Sequence, residues 1–247
     1  MDEGKNEGWF ENWFDSPYYH ILYKHRDFCE AELFIDNLIN YLEPKSGSKF
    51  LDLGCGRGRH SVYLNKKGYD VIGSDLSPAN IKFASQFENE HLRFCVADMR
   101  KIPGEDQFDY VLNLFTSFGY FENEGDNYDT IKCVSKVLKQ KGIFVLDFMN
   151  VEKVIAHLVV HEIKIIDDIE FNITRRIENN FIVKHIKFSD QGKEFNFQER
   201  VKAITLNDFK NYFDANKLKI LHLFSNYNLE KFDLNTSNRL IIIGQKE

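Results

Sequence analysis

The sharpest chemical signal in the chain is an acid followed by alternate glycines, Asp52-x-Gly54-x-Gly56-x-Gly58, with Cys55 inside the loop. Glycine at alternate positions lets the backbone turn sharply and lie against a ligand with no Cβ between them. The helix that follows adds free N–H groups. A dinucleotide fingerprint, Gly-x-Gly-x-x-Gly, needs a third glycine at position 59, where this chain has Arg59. An acid ahead of the loop suits a ligand that carries an ammonium group and no pyrophosphate. Three further groups fall at expected strand ends: Asp75 with Leu76, Asp98 with Met99, and Asn113 with Leu114 and Phe115. Asp75 lies 21 residues after Gly54, where a carboxylate can accept both hydroxyls of a ribose. Its competing role is to serve the turn before Ser77-Pro78.

These groups need strands to carry them to one edge. Residues 49–53 are strand-like and run into the loop, and Arg59 to Lys67 reads as a helix. Strands at 70–75, 92–96, 108–114 and 142–148 alternate with helices at 81–87 and 127–139, with Ser77 as N-cap and Pro78 at the first helical position. That alternation predicts a doubly wound parallel sheet, whose ligand crevice lies beyond the carboxyl ends of its strands. Four runs at 163–169, 171–177, 181–188 and 194–204 then alternate apolar with polar residues between turn sequences, which predicts an antiparallel layer. A helix capped by Thr205 and strands at 218–224 and 239–244 resume the first pattern.

Ahead of the core, Trp9, Phe10, Trp13, Phe14, Tyr18, Tyr19 and Tyr23 crowd into a segment with little charge. Such a segment is expected to pack on apolar surface. His20, His25 and Arg26 interleave with the rings, which points to a lid over a site. Asp27 is the expected cap of a helix from Phe28 to Leu42 with one apolar face.

Composition removes several function classes. A formal net charge of −6 disfavours a nucleic-acid surface, which needs a basic field. Cys29, Cys55, Cys95 and Cys133 are scattered without paired spacing, so no disulfide framework or zinc site is expected and a reducing cytoplasm is the natural setting. No apolar run approaches membrane-spanning length, and a soluble, unprocessed protein is expected. His157 and His161 stand four apart on an expected helix, but with no third ligand they read as surface residues and no metal is expected. Arg175-Arg176 reads as solvated strand charge, and Asp147 as either a core-edge residue or a substrate contact.

The glycine loop resembles motif I of the class I S-adenosylmethionine-dependent methyltransferases. Together with RFCVADMR, FDYVLNLFTSFGY and the strand-rich insert, it looks most like the branch containing aminosugar N,N-dimethyltransferases. The resemblance implies a Rossmann-like, mostly parallel seven-stranded sheet with an antiparallel β insert and an N-terminal helical lid. It divides the chain into a lid and helix at 1–48, a cofactor core at 49–161 and 205–247, and an insert at 162–204. S-adenosylmethionine is the implied cofactor. Asp52, Gly54, Cys55, Gly56, Gly58, Asp75, Leu76, Asp98, Met99, Asn113, Leu114 and Phe115 are its expected contacts, with Asp98 accepting from the adenine amine and Met99 packing the ring. The expected acceptor is a small molecule methylated at N or O, met by Tyr18, Tyr23, His25, Arg26, Phe118 and Tyr120. Where a base is needed, His20 and Tyr19 are the expected catalytic residues. The insert is expected to serve the acceptor or a homodimer contact. The acidic Glu122-Asn123-Glu124 departs from the sugar-modifying pattern. A nucleic-acid or protein methyltransferase and a noncatalytic cofactor-binding regulator are the competing readings.

Overall fold

A computed structural model describes residues 13–24 and 28–247. Trp9, Phe10, His25, Arg26 and Asp27, named above, lie outside the described residues.

Seven strands form the main sheet: β1 Lys49–Leu53, β2 Asp70–Asp75, β3 Leu92–Val96, β4 Phe108–Asn113, β5 Leu138–Met149, β10 Leu218–Phe224 and β11 Arg239–Lys246. Their order is β10-β11-β5-β4-β1-β2-β3. The pairs β1–β2, β2–β3, β1–β4 and β4–β5 are parallel, whereas β11 runs antiparallel to both β5 and β10. The chain leaves β1 toward β2 on one side and returns through β4 on the other. The strand order therefore reverses at β1, which opens a crevice at the carboxyl edge there.

Local chemistry sets the elements that flank this sheet. In helix α1, Pro17–Leu22, the Ser16 side chain accepts the Tyr18 N–H and Pro17 opens the first turn. Helix α2, Phe28–Leu42, turns Phe34, Ile35 and Leu38 inward against Phe50 and Leu64 of the sheet and of helix α3, Arg59–Lys66. Helix α4, Pro78–Ala84, starts with Ser77 accepting the Asn80 N–H. Helix α5 covers Glu124–Val137 and α6 Val151–Ala156, while α7, Leu206–Ala215, begins with a reciprocal capping box between Thr205 and Asp208.

The remaining strands, β6 His161–Ile166, β7 Ile169–Glu178, β8 Phe181–Asp190 and β9 Lys193–Lys202, form a second, antiparallel sheet in sequential order. The first of these ends earlier than the alternation predicts, because Asp167 and Asp168 both take positive φ and make the hairpin turn. The two histidines expected on one helix part company: His157 ends α6 and His161 starts β6. One face of the second sheet buries Phe171, Ile173, Ile186 and Phe188 beneath Trp13 and Leu22 of the N-terminal segment. Trp13 is fully buried, and burying a large side chain stabilises by about 1.5–3 kcal/mol.

The two sheets join behind β4. The Lys202 N–H donates to the Gly119 carbonyl at 2.7 Å, Arg200 pairs with Glu122 at 3.2 Å, and Lys202 pairs with Glu124. The acidic stretch after the aromatic loop thus fastens the insert to the core.

Candidate functional site

The glycine loop is held against the end of β2 by backbone bonds and by one carboxylate. The Gly54 and Cys55 N–H groups both donate to the Ser74 carbonyl, at 2.8 and 2.9 Å. Gly58 sits at φ +81 as the cap of α3, and a Cβ there would lie 2.7 Å from the Phe94 ring. A Cβ on Gly56 would meet nothing within 4 Å, so the loop's outer face stands open to a ligand. Asp52 is buried below the loop and accepts from Ser61 Oγ at 2.6 Å. Burial pushes its carboxyl up to about 6, against the pull of Ser61 and Arg59. Asp75 accepts the Gly56 N–H at 2.8 Å and the Ser77 N–H at 2.9 Å. It fastens the loop and also serves the turn that competes with the ribose role.

At the next strand ends, Leu76 is exposed, Met99 packs half-buried on the main core, and Cys55 and Leu114 are buried. Asp98 is forked by Arg100, whose Nε lies 3.0 Å from each carboxylate oxygen, and this holds Asp98 below the usual carboxylate range. Arg100 also reaches Asp126 at 2.9 Å. Any ligand amine at Asp98 must therefore use the oxygens' remaining lone pairs. Asn113 is fully buried: its Nδ2 donates to the Leu53 carbonyl at 2.7 Å, while its Oδ1 has no partner among the described residues.

Beyond Asn113 the chain takes two successive left-handed residues, Phe115 at φ 63 and Thr116 at φ 60. A side-chain device that the sequence did not advertise holds them. Asp147, with no exposed surface, accepts the Phe115 N–H at 2.8 Å, Arg239 Nε at 2.8 Å and the Tyr227 hydroxyl at 3.1 Å. Arg239 also donates to Thr116 Oγ1 at 2.9 Å. Burial and the Asp147 charge both raise the Tyr227 phenol, so it stays protonated as a donor. Arg59 covers the other side, 3.9 Å from the centre of the Phe115 ring. Of this group the sequence marked Phe115 and Asp147; Arg239 and Tyr227 come from distant chain and carried no local signal.

The N-terminal segment lies across both the insert and the loop. Glu199 on β9 accepts from Trp13 Nε1 at 2.6 Å and from the Tyr23 hydroxyl at 2.7 Å, and pairs with Lys184 of β8 at 3.3 Å. Burial alone would raise Glu199, but Lys184, Tyr23 and Trp13 together hold it below its usual range. On the other side Asp15 accepts from the Ser77 hydroxyl beside Asp75. Burial, and then the charge of Arg57 in the glycine loop, lower His20 to about 4, so the ring is neutral near pH 7. His20 Nε2 is buried with no hydrogen-bond partner among the described residues. Tyr19 packs edge-on to Trp13 and Phe14.

The expected acceptor contacts separate. The Tyr18 hydroxyl is committed to Asp190 at 2.7 Å, and Tyr23 to Glu199. Phe118 is fully buried against Phe209, so it packs the core and faces no acceptor. Tyr120 stays near the β4 loop, donating to the Thr116 carbonyl at 2.6 Å and meeting Phe14 at 5.3 Å.

Residues 50–142, which hold the loop and all three neighbouring strand ends, match a family model described as a methyltransferase domain. Residues 50–142 are thus similar to a methyltransferase domain, set within the seven-stranded sheet described above. YqeM of Bacillus subtilis (strain 168), a methyltransferase by name, is 40% identical over 107 residues, which are 42% of this chain and 43% of that protein. A glycine/sarcosine N-methyltransferase of Parasynechococcus marenigrum (strain WH8102) is 31% identical over 132 residues, 51% of this chain and 47% of its own. The chain thus spans about half the length of these curated relatives. The S-adenosylmethionine-bound structure of CalS10, an amino pentose methyltransferase from Micromonospora echinaspora, superposes with a TM-score of 0.73. That match covers 94% of this chain and 98% of that one at 17% identity, and shows a shared fold.

S-adenosylmethionine is the cofactor of this domain class, and the residues present fit it. The matched region offers an open glycine cradle at Gly56, carboxylates at Asp52 and Asp75, and, among the described residues, buried polar atoms without hydrogen-bond partners at Asn113 Oδ1 and Ser74 Oγ. A ligand with ammonium and hydroxyl donors answers that set.

Proposed function

We propose that the chain is an S-adenosylmethionine-dependent methyltransferase acting on N or O of a small molecule held between the Phe115–Tyr120 segment and the N-terminal lid. The observation that carries this reading is the meeting of the open glycine cradle, Asp52, Asp75, Asp98 and Asn113 at the carboxyl edge where the strand order reverses. When bound, the cofactor supplies an activated methyl group, so the protein's task is mainly alignment. Holding two reactants in line removes roughly 7–11 kcal/mol of barrier.

The chain's own groups divide that task. Asp52, Asp75 and the Gly54–Gly58 loop hold the cofactor, and Asp98, Met99 and Asn113 complete its pocket. The Asp147–Arg239 pair fixes the left-handed Phe115–Thr116 turn against the reacting centre. The lid excludes water. His20, neutral near pH 7, takes a proton from a hydroxyl acceptor, with Tyr19 orienting its ring; an amine sheds its proton to solvent beforehand. The glycine/sarcosine relative weights the reading toward an amine. The exposed Ile163 and Ile165 on edge strand β6 support the insert as a homodimer contact.

Calorimetry with S-adenosylhomocysteine and with NAD tests the reading directly. Saturable binding of the first and none of the second is expected, with Asp75→Ala weakening it by about 1–3 kcal/mol as charge-assisted hydrogen bonds are lost. Tighter binding of NAD overturns it.

A further inference from the structure

Where α6 gives way to β6 the surface folds into an open cleft of about 340 Å³, lined among others by Lys153, His157, Glu162, Lys164, Arg175 and Asn238. Three of these side chains are permanent cations and one is a carboxylate, in a chain whose formal net charge is −6. Basic charge is concentrated here against the trend of the molecule.

The cations are held in place and keep donors to spare. Lys153 Nζ is anchored by the Thr236 carbonyl and by Asn238 Oδ1, the latter at 2.8 Å. An ammonium has three donors, so one is left for a further acceptor. Arg175 spends one nitrogen on the Val159 carbonyl at 3.2 Å and another on Glu162. Its side chain is only 20% exposed, unlike the solvated strand residue its sequence context suggested. Lys164 reaches the same Glu162 carboxylate at 3.7 Å, beyond a good hydrogen bond. A single carboxylate is thus shared by two cations. Burial would raise Glu162, yet Arg175, Lys164 and Lys184 hold it below its usual range, as a locally positive field requires.

The cleft also stands in the right place. Helix α6 follows β5 directly, and Asn238 immediately precedes β11. Both lie at the carboxyl edge that carries Asn113 and Phe115, with β11 two strands from β4. At the usual strand spacing β11 and β4 are about 10 Å apart, so the Asn238 and Lys153 side of the cleft borders the same edge. We propose that this cleft is an anion-binding subsite for the methyl acceptor, in which Arg175, Lys164 and Lys153 grip a phosphate or carboxylate at the end remote from the atom that is methylated. Planar guanidinium and flexible ammonium groups together suit such oxygens. The assignment rests on the methyltransferase reading for its acceptor and on the cleft itself for its anion.

The test uses the full chain saturated with S-adenosylhomocysteine and titrated with inorganic pyrophosphate. Saturable binding that weakens as salt rises is expected. Arg175→Gln should weaken it roughly tenfold, the loss of one charge-assisted hydrogen bond, and the more exposed Lys164→Gln severalfold, with S-adenosylhomocysteine affinity unchanged in both. Absence of saturable binding, or binding that both variants leave intact, overturns the subsite. A second arm compares turnover of matched primary amines bearing a phosphate, a carboxylate or neither. Preference for one anionic series over the neutral one, erased in Arg175→Gln, identifies which anion the acceptor carries. Equal turnover of neutral and anionic amines breaks the link to the acceptor. Pyrophosphate binding without S-adenosylhomocysteine binding instead sinks the methyltransferase reading and leaves the anion site standing.

Discussion

The two walls of the crevice are built by different means. On the cofactor side, shape comes mainly from local backbone: glycine φ angles, the Ser74 carbonyl accepting two loop amides, and a helix cap at Gly58, with the adjacent Asp75 carboxylate accepting the Gly56 N–H. On the lid and insert side, shape comes from side chains reaching across long stretches of chain, with Glu199 gathering Trp13, Tyr23 and Lys184. A backbone cradle accepts one ligand shape whatever surrounds it. A side-chain wall can be rewritten residue by residue, which suits a surface that must fit one acceptor.

The strongest way to break this division lies at the seam between the walls. Asp147→Ala leaves Arg239 deprived of its counter-charge and frees the left-handed Phe115–Thr116 turn. A loss of about 3–5 kcal/mol in denaturant-measured stability is expected from an uncompensated buried charge. A change under 1 kcal/mol would mean that the seam is held by packing alone.

Next in size is a change to the cradle's backbone. Gly58→Ala forces a side chain into a φ of +81 and places its Cβ 2.7 Å from the Phe94 ring. Roughly 2–4 kcal/mol should be lost, from the left-handed strain plus the overpacking. Gly56→Ala, whose Cβ meets open space, carries only the strain of its φ of +55 in the free protein. It should lose more in S-adenosylhomocysteine affinity than in stability. The reverse result would move the ligand away from Gly56.

This contrast explains what the sequence could reveal. The loop, the parallel strands and the antiparallel insert all follow from local patterns: glycine spacing, alternation and turn pairs such as Asn179-Asn180, where both residues take positive φ. The strand ends at Asp75 and Asn113 were legible because a strand that runs into a turn at one edge of an alternating sheet is a position defined by the chain itself. Arg239 and Tyr227 were not, since each meets Asp147 across at least 80 residues. Phe118 misled because an aromatic in a site loop and an aromatic in the core look alike until burial is known. Arg175 misled in the opposite direction, since strand alternation fixes its face but not what that face adjoins.

A smaller effect is expected from the lid's latch. Glu199→Gln keeps the shape but removes the charge that Lys184 answers, and should weaken docking of residues 13–24 by about 1–3 kcal/mol. Hydrogen exchange of those amides, with α2 as internal reference, reads the change. Unaltered exchange would show that the buried Trp13 holds the segment without the carboxylate.

The mildest test is pH. Burial and the neighbouring Arg57 hold docked His20 near 4, whereas an undocked histidine titrates near 6.5. As pH falls through that window, the undocked segment takes up a proton that the docked one resists, so docking is strongest above the upper value and weakens toward the lower one. Glu199 stays charged across most of this range because its partners depress it, so the latch does not titrate in step. The effect is modest because His20 is only partly buried and solvent screens its charge. Exchange rates of residues 13–24, corrected for intrinsic pH dependence, should rise between pH 7 and pH 5 in the native chain and stay flat in His20→Asn. A rise that persists in His20→Asn would transfer the titration to another group and take His20 out of the closed lid's contact with the glycine loop.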